Sequence, residues 1–189
     1  MSRFDLPSDL PRPVNDGACA HLTDFRIPSV ELRATSEGSV DLSQLPGRTI
    51  VFFYPRTGRP NEPVPEGWDA IPGARGCTPQ VCSFRDSYQA LIEAGADQIF
   101  GLSTQDTDYQ KEAVERLHLS YSLLSDNKLL LSRALRLPTF DFAGMTLIKR
   151  LTLIIDKGVI SKVFYPVFPP DQSANEALDW LKEQAQAAG

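Results

Sequence analysis

The sequence predicts an α/β layered domain, and three observations carry that expectation. Thr49–Tyr54 (TIVFFY) is a continuous β-branched and aromatic run stopped by Pro55, the pattern of a strand buried on both faces. Segments with helical and strand patterns alternate beyond it. Close to the C-terminus, two apolar segments flank the turn-forming Asp156, Lys157 and Gly158, and a helical pattern follows them.

Each element has its own signal. Residues 1 to about 20 are polar and proline-marked, so 1–24 reads as an irregular arm and 25–189 as the domain. Ile27–Leu32 and Ser39–Leu42 read as short strands around Ser36, Glu37 and Gly38. Pro55–Gly76 holds five prolines and four glycines and must be a loop, with an insertion at about 56–72. A loop of that length inside a compact domain is often functional. Pro79 starts an amphipathic helix with Val81, Phe84, Tyr88, Leu91 and Ile92 on one face, and Gly95 ends it. A strand (Gln98–Leu102), a helix (Thr107–Leu117), a strand (Ser120–Leu124) and a helix (Asn127–Leu135) follow. Thr146–Ile155 and Val159–Tyr165 then form the hairpin, and Gln172–Ala187 the last helix. Strand, helix and strand ending in a hairpin and helix is the order of the thioredoxin fold, with a central mixed sheet flanked by helices.

Size and composition narrow the function. At 189 residues, 42% hydrophobic and 23% charged, the chain can bury one full core. A net charge of −5 without a basic cluster argues against nucleic acid. No apolar run approaches the ~20 residues that span a bilayer. The opening MSRFDLPSDLPRP has no apolar stretch that would act as a secretory signal, so the expected location is the cytoplasm. In that reducing compartment, any pairing among the three cysteines is expected to be catalytic rather than structural.

The chemistry concentrates in Gly73–Asp86, GARGCTPQVCSFRD. Cys77 stands where a Gly-rich loop joins a helix whose first turn holds Pro79. Unpaired N–H groups and the positive end of the helix dipole favour a thiolate there, and Arg75 is placed to add to them. Cys82 follows five residues later. In an intact helix that spacing means about 7.5 Å of rise and about 140° of rotation. A Cys77–Cys82 disulfide therefore requires the first turn or two of the helix to unwind. Oxidation to sulfenic acid, fraying and condensation with the second thiol would suit such a pair. Two thiols and two distant histidines make a poor zinc site, and no metal or other cofactor is expected. Cys19, His21 and His118 carry no pattern and read as incidental, structural or solvated.

At this point the sequence resembles the peroxiredoxins, and within them the branch called bacterioferritin comigratory protein or peroxiredoxin Q. The shared features are Tyr54-Pro55 ending a strand and Gly76, Cys77, Thr78, Cys82, Phe84, Arg85 and Asp86 beyond the loop. GLS at 101–103, LLSD at 123–126 and KRLTLIIDKG at 149–158 extend the match over roughly residues 25–185. The resemblance implies a peroxidatic Cys77, a resolving Cys82, and Arg150 held against the reactive thiol. It implies peroxide contacts at Gly76, Thr78 and Gln80, the last replacing an acidic residue of the family. Hydroperoxides are the implied substrates and a thioredoxin-like dithiol the implied reductant. The close intrachain pair favours a monomer.

Two departures stand out. The family's Thr or Ser three residues before the cysteine is Ala74 here, and its Pro seven residues before is Ala70. Thr78 and Thr57 are candidate replacements for the missing hydroxyl. About fifteen extra residues precede Cys77, and Trp68 among them favours a working role, since aromatic residues anchor interfaces. The competing functions are a redox-responsive binding protein with little turnover and a disulfide reductase, which the cysteine spacing disfavours.

Overall fold

The computed structural model describes residues 6–189. β1 (Glu31–Ala34) and β2 (Ser39–Asp41) form a hairpin, and β3 (Arg48–Phe53) follows. After the long loop come α1 (Cys77–Asp86), α2 (Tyr88–Glu93), β4 (Gln98–Ser103), α3 (Thr107–Leu117), β5 (Ser122–Ser125) and α4 (Leu130–Ala134). Then β6 (Thr139–Phe142), β7 (Met145–Ile148), β8 (Leu151–Asp156), β9 (Val159–Phe164) and α5 (Ser173–Ala187) complete the chain.

Seven strands make one mixed sheet in the order β2-β1-β5-β4-β3-β8-β9. β3, β4 and β5 are parallel neighbours, and β8 and β9 add antiparallel to β3. β3 shows why TIVFFY occupies the middle. Its alternate residues serve two cores: Val51 and Phe53 pack on one face, and Ile50 and Phe52 on the other. The first face is covered by Leu22, Ile27 and Leu131, and the second by α1, α2, α3 and α5. Phe52 stacks on Phe84 of α1 with ring centroids 4.1 Å apart. Fully burying one such ring stabilises the fold by about 1.5–3 kcal/mol, and this pair fixes α1 to the sheet centre.

The structure redraws several expected elements. The first strand is Glu31–Ala34 rather than Ile27–Leu32, because Ile27 donates its N–H to Gly158 O (2.8 Å) and pairs with the β8–β9 turn instead. The helix expected from Pro79 begins at Cys77 and breaks at Ser87. The helix expected over 127–135 shrinks to Leu130–Ala134, since Asp126 accepts the N–H groups of Leu131 and Ser132 and caps it late.

The largest change concerns Thr146–Ile155, expected as one strand. The chain switches partners at Lys149–Arg150: β7 pairs with β6 in a separate two-stranded sheet, whereas β8 joins β3. Arg150 therefore stands at a break between strands, not inside one. Pro55–Gly76 is a loop as expected, with one 3-10 turn at Trp68–Ala70. Cys19 and Leu22, inside the expected arm, are buried in the first core. Among the described residues, no helix is long and apolar enough to cross a membrane.

Candidate active site

Cys77 is the first residue of α1 and is 4% exposed. Gly76 before it adopts φ +105°, a left-handed conformation natural to glycine. A side chain there would also strike Pro170, which packs against the turn. The tight turn places the Cys77 sulfur against the preceding loop, where its Sγ lies 3.6 Å from Ala74 O.

Arg150 approaches from the strand break. It is 3% exposed, and its Nη2 lies 3.4 Å from Cys77 Sγ. The same nitrogen faces the carbonyls of Gly73 (3.1 Å), Ala74 (3.2 Å) and Arg75 (3.3 Å). A nitrogen with two hydrogens thus meets four acceptors, which fixes the loop before Cys77 as well as the sulfur. Nη1 donates to Gln80 Oε1. Among the described residues Arg150 forms no ion pair with a carboxylate, and its Nε finds no hydrogen-bond partner. A buried guanidinium so placed is a source of positive potential directed at the sulfur.

Gln80 lies away from the solvent, and its side chain is turned to the neighbouring Arg150. It is fully buried; its amide donates to Ser173 Oγ (3.2 Å) while its oxygen accepts from Arg150. Ser173 in turn meets Thr152 Oγ1 at 3.1 Å. This chain links the start of α5 and β8 to the guanidinium, so Gln80 positions Arg150. Arg75 also departs from expectation, since its guanidinium pairs with Asp69 (3.0 Å) rather than with the sulfur.

Cys77, Gly76 and Thr78 border an open cavity of about 380 Å³, flanked on the other side by Pro63, Val64 and Trp68 of the insertion. Two clamps hold that wall. On α3, Arg116 donates to Gly58 O (3.1 Å), Tyr109 donates to Glu62 (3.0 Å), and the Tyr109 ring lies 4.3 Å from the Arg59 guanidinium. At the other end Trp68 is 5% exposed and packs with Ala74, Leu147, Phe140 and Phe142. Trp68 is therefore an internal anchor and not an exposed interface residue. The Thr57 hydroxyl donates to Gln105 Oε1 (3.3 Å) and Thr57 does not line the cavity, whereas Thr78 does, beside Cys77.

Cys82 lies on the same unbroken helix, 7% exposed, and burial pushes its thiol above the usual range. The carbonyl before it, Val81 O, accepts a 2.7 Å hydrogen bond from buried Tyr121. Nothing in the sequence marked Tyr121, Gln80's inward orientation, or Ser173. Cys19 is a buried thiol pushed up to about 12, chiefly by desolvation, and His21 Nε2 contacts Leu135 O at 2.8 Å. All three cysteines are free thiols.

A thioredoxin-like sheet with a cysteine at a helix start, faced by a buried arginine, defines a thiol-chemistry domain. Residues 23–178 match the Redoxin family, and the chain belongs to that family. It is 31% identical to the chloroplastic peroxiredoxin Q of Gentiana triflora over 183 residues, 93% of this chain and 76% of the relative. The peroxiredoxin Q of Oryza sativa subsp. japonica is 33% identical over 157 residues, 82% of this chain but only 64% of the rice protein's length. Among solved structures, peroxidoxin BcpB of Mycobacterium tuberculosis superposes with a TM-score of 0.69 at 26% identity, covering 85% of this chain and 96% of that one. A Xanthomonas campestris bacterioferritin comigratory protein, 18% identical, shares the fold with a TM-score of 0.66 over 94% of this chain and 99% of that one.

Proposed function

We infer that the chain is a thiol peroxidase reducing hydrogen peroxide and organic hydroperoxides through Cys77. The observation that carries this is the buried Arg150 guanidinium, which has no carboxylate partner among the described residues and lies 3.4 Å from Cys77 Sγ. Such a group stabilises negative charge on the sulfur and on a peroxide oxygen as the O–O bond breaks. The likeness to plant peroxiredoxin Q proteins points the same way.

In this mechanism the Cys77 thiolate attacks one peroxide oxygen and the O–O bond cleaves. The leaving hydroxide or alkoxide takes up a proton and departs as water or alcohol, while Cys77 becomes a sulfenic acid. Thr78 and the first-turn N–H groups bind the peroxide beside Arg150. α1 then unwinds, the Cys82 thiolate attacks the sulfenic sulfur, and the S–O bond breaks as the disulfide forms, the hydroxide taking up a proton from solvent to leave as water. A thioredoxin-like dithiol restores both thiols. No metal or organic cofactor enters these steps, and the intrachain pair lets a monomer complete them in a reducing compartment such as the cytoplasm.

Turnover with thioredoxin, thioredoxin reductase and NADPH tests the reading. The native chain is expected to consume peroxide continuously. Cys82→Ser is expected to consume one equivalent and stop as sulfenic acid. Normal turnover by Cys82→Ser would remove Cys82 from the cycle. Negligible turnover by the native chain would favour a redox-responsive binding protein instead.

A further inference from the structure

We propose that Tyr121 is a positioning residue that holds α1 shut and so sets the rate at which Cys82 resolves oxidised Cys77. The proposal rests on the peroxidase reading for the chemistry, though its structural basis is independent. Tyr121 is 7% exposed and precedes β5. Its hydroxyl donates to Val81 O at 2.7 Å. Its ring is edge-on to Phe52 (centroids 5.7 Å, 83°) and stacked near Tyr88 (6.4 Å, 15°). The ring is thus fixed by the sheet centre on one side and α2 on the other, and the hydroxyl reaches α1 between the two cysteines.

The position of the acceptor decides the consequence. Joining Cys77 and Cys82 requires their Cα atoms to approach within about 7 Å, which an intact helix does not allow at this spacing. Val81 lies inside the segment that must unwind. When its peptide turns, Tyr121 loses its acceptor in a buried environment, where an unpaired hydroxyl is unfavourable. Phe84, stacked on Phe52, stays outside the segment, so the opening is bounded on its C-terminal side. A closed α1 keeps Cys77 against Arg150 for peroxide attack. It also prolongs the sulfenic acid and exposes it to a second peroxide, which carries it to sulfinic acid.

Tyr121→Phe removes the hydroxyl and keeps the ring packing. In single-turnover mixing with hydrogen peroxide, Cys77 oxidation is expected within twofold of native. Disulfide formation is expected to be about tenfold faster, the factor that loss of one buried hydrogen bond brings to an opening equilibrium. Intact-mass analysis at rising peroxide should show sulfinic acid appearing only at correspondingly higher concentration. Tyr88→Phe, which lacks this contact, should leave both rates as they are. Hydrogen exchange of the reduced protein needs no peroxide chemistry: amides of residues 80–82 should exchange about tenfold faster in Tyr121→Phe than in native protein. Unchanged exchange, or equal acceleration in Tyr88→Phe, would overturn the proposal. Absence of peroxide reactivity in native protein together with faster exchange would defeat the peroxidase reading and leave the latch standing.

Discussion

Cys77 and Cys82 sit on one helix and differ little in exposure, at 4% and 7%. Their surroundings differ far more. Cys77 opens the helix beside a cavity and has a guanidinium 3.4 Å from its sulfur. Cys82 lies one turn deeper, where burial disfavours its charged form and the backbone is tied to Tyr121. Burial alone therefore says little about a thiol's work. A helix terminus and a directed positive charge separate the sulfur proposed to attack from the one proposed to resolve it. Cys19 makes the point a third time, since it is as buried as Cys77 and has no arginine against it among the hydrogen bonds described.

The contrast breaks most sharply at Arg150. Arg150→Met keeps the volume but removes the charge, and Cys77 oxidation is expected to slow by about 10²-fold or more, as for loss of an electrostatic donor at a reacting centre. Rapid-mixing kinetics would check it. Near-native rates would mean the helix terminus suffices without the guanidinium.

The Cys77 end also depends on the insertion. Trp68→Ala is expected to destabilise the protein by about 3–5 kcal/mol, because Trp68 fills the small core under Ala74 and Leu147. Chemical denaturation measures that loss, and a change below about 1 kcal/mol would make the loop a passive attachment.

A smaller effect is expected at Gln80→Leu. It deprives a buried guanidinium of one acceptor, so oxidation should slow roughly tenfold. Gln80→Glu should separate geometry from charge: it preserves the contact but adds an anion that competes for the guanidinium, so oxidation should slow even though the contact is kept.

A further prediction lies at alkaline pH. Burial holds the Cys19 thiol at about 12, above the ~8.5 of an unfolded cysteine. The folded state therefore binds the proton more tightly. The associated stability is full below pH ~8.5 and declines as pH rises towards 12. Cys19→Ala should flatten that alkaline decline in thermal unfolding scans, and an unchanged slope would place the titrating group elsewhere.

Much of this was legible in the residues. TIVFFY could be placed at the sheet centre because a strand buried on both faces must be apolar throughout. The Gly-Cys-Thr-Pro segment announced a helix start because glycine and proline have narrow backbone preferences. Arg150 was legible as a residue but not as a location. Its apolar neighbours suggested one strand, and only the competing partners β6 and β3 show why the chain breaks there. Trp68 reads from the sequence as an interface anchor yet packs inward, because a proline-rich loop carries no periodicity to say which side faces the core. Gln80 and Tyr121 act through contacts 70 and 40 residues away in sequence, and no local pattern encodes such pairings.

Cys77 is expected to be the fast peroxide-reactive thiol, with Cys82 reacting only after it. The direct measurement is stopped-flow mixing of reduced protein with hydrogen peroxide, followed by intrinsic tryptophan fluorescence, to which Trp68 beside the Cys77 cavity contributes. The expected result is a rapid phase, first order in peroxide, that is present in Cys82→Ser and lost in Cys77→Ser. Oxidation no faster than that of free cysteine, or a rapid phase that survives Cys77→Ser, would contradict it.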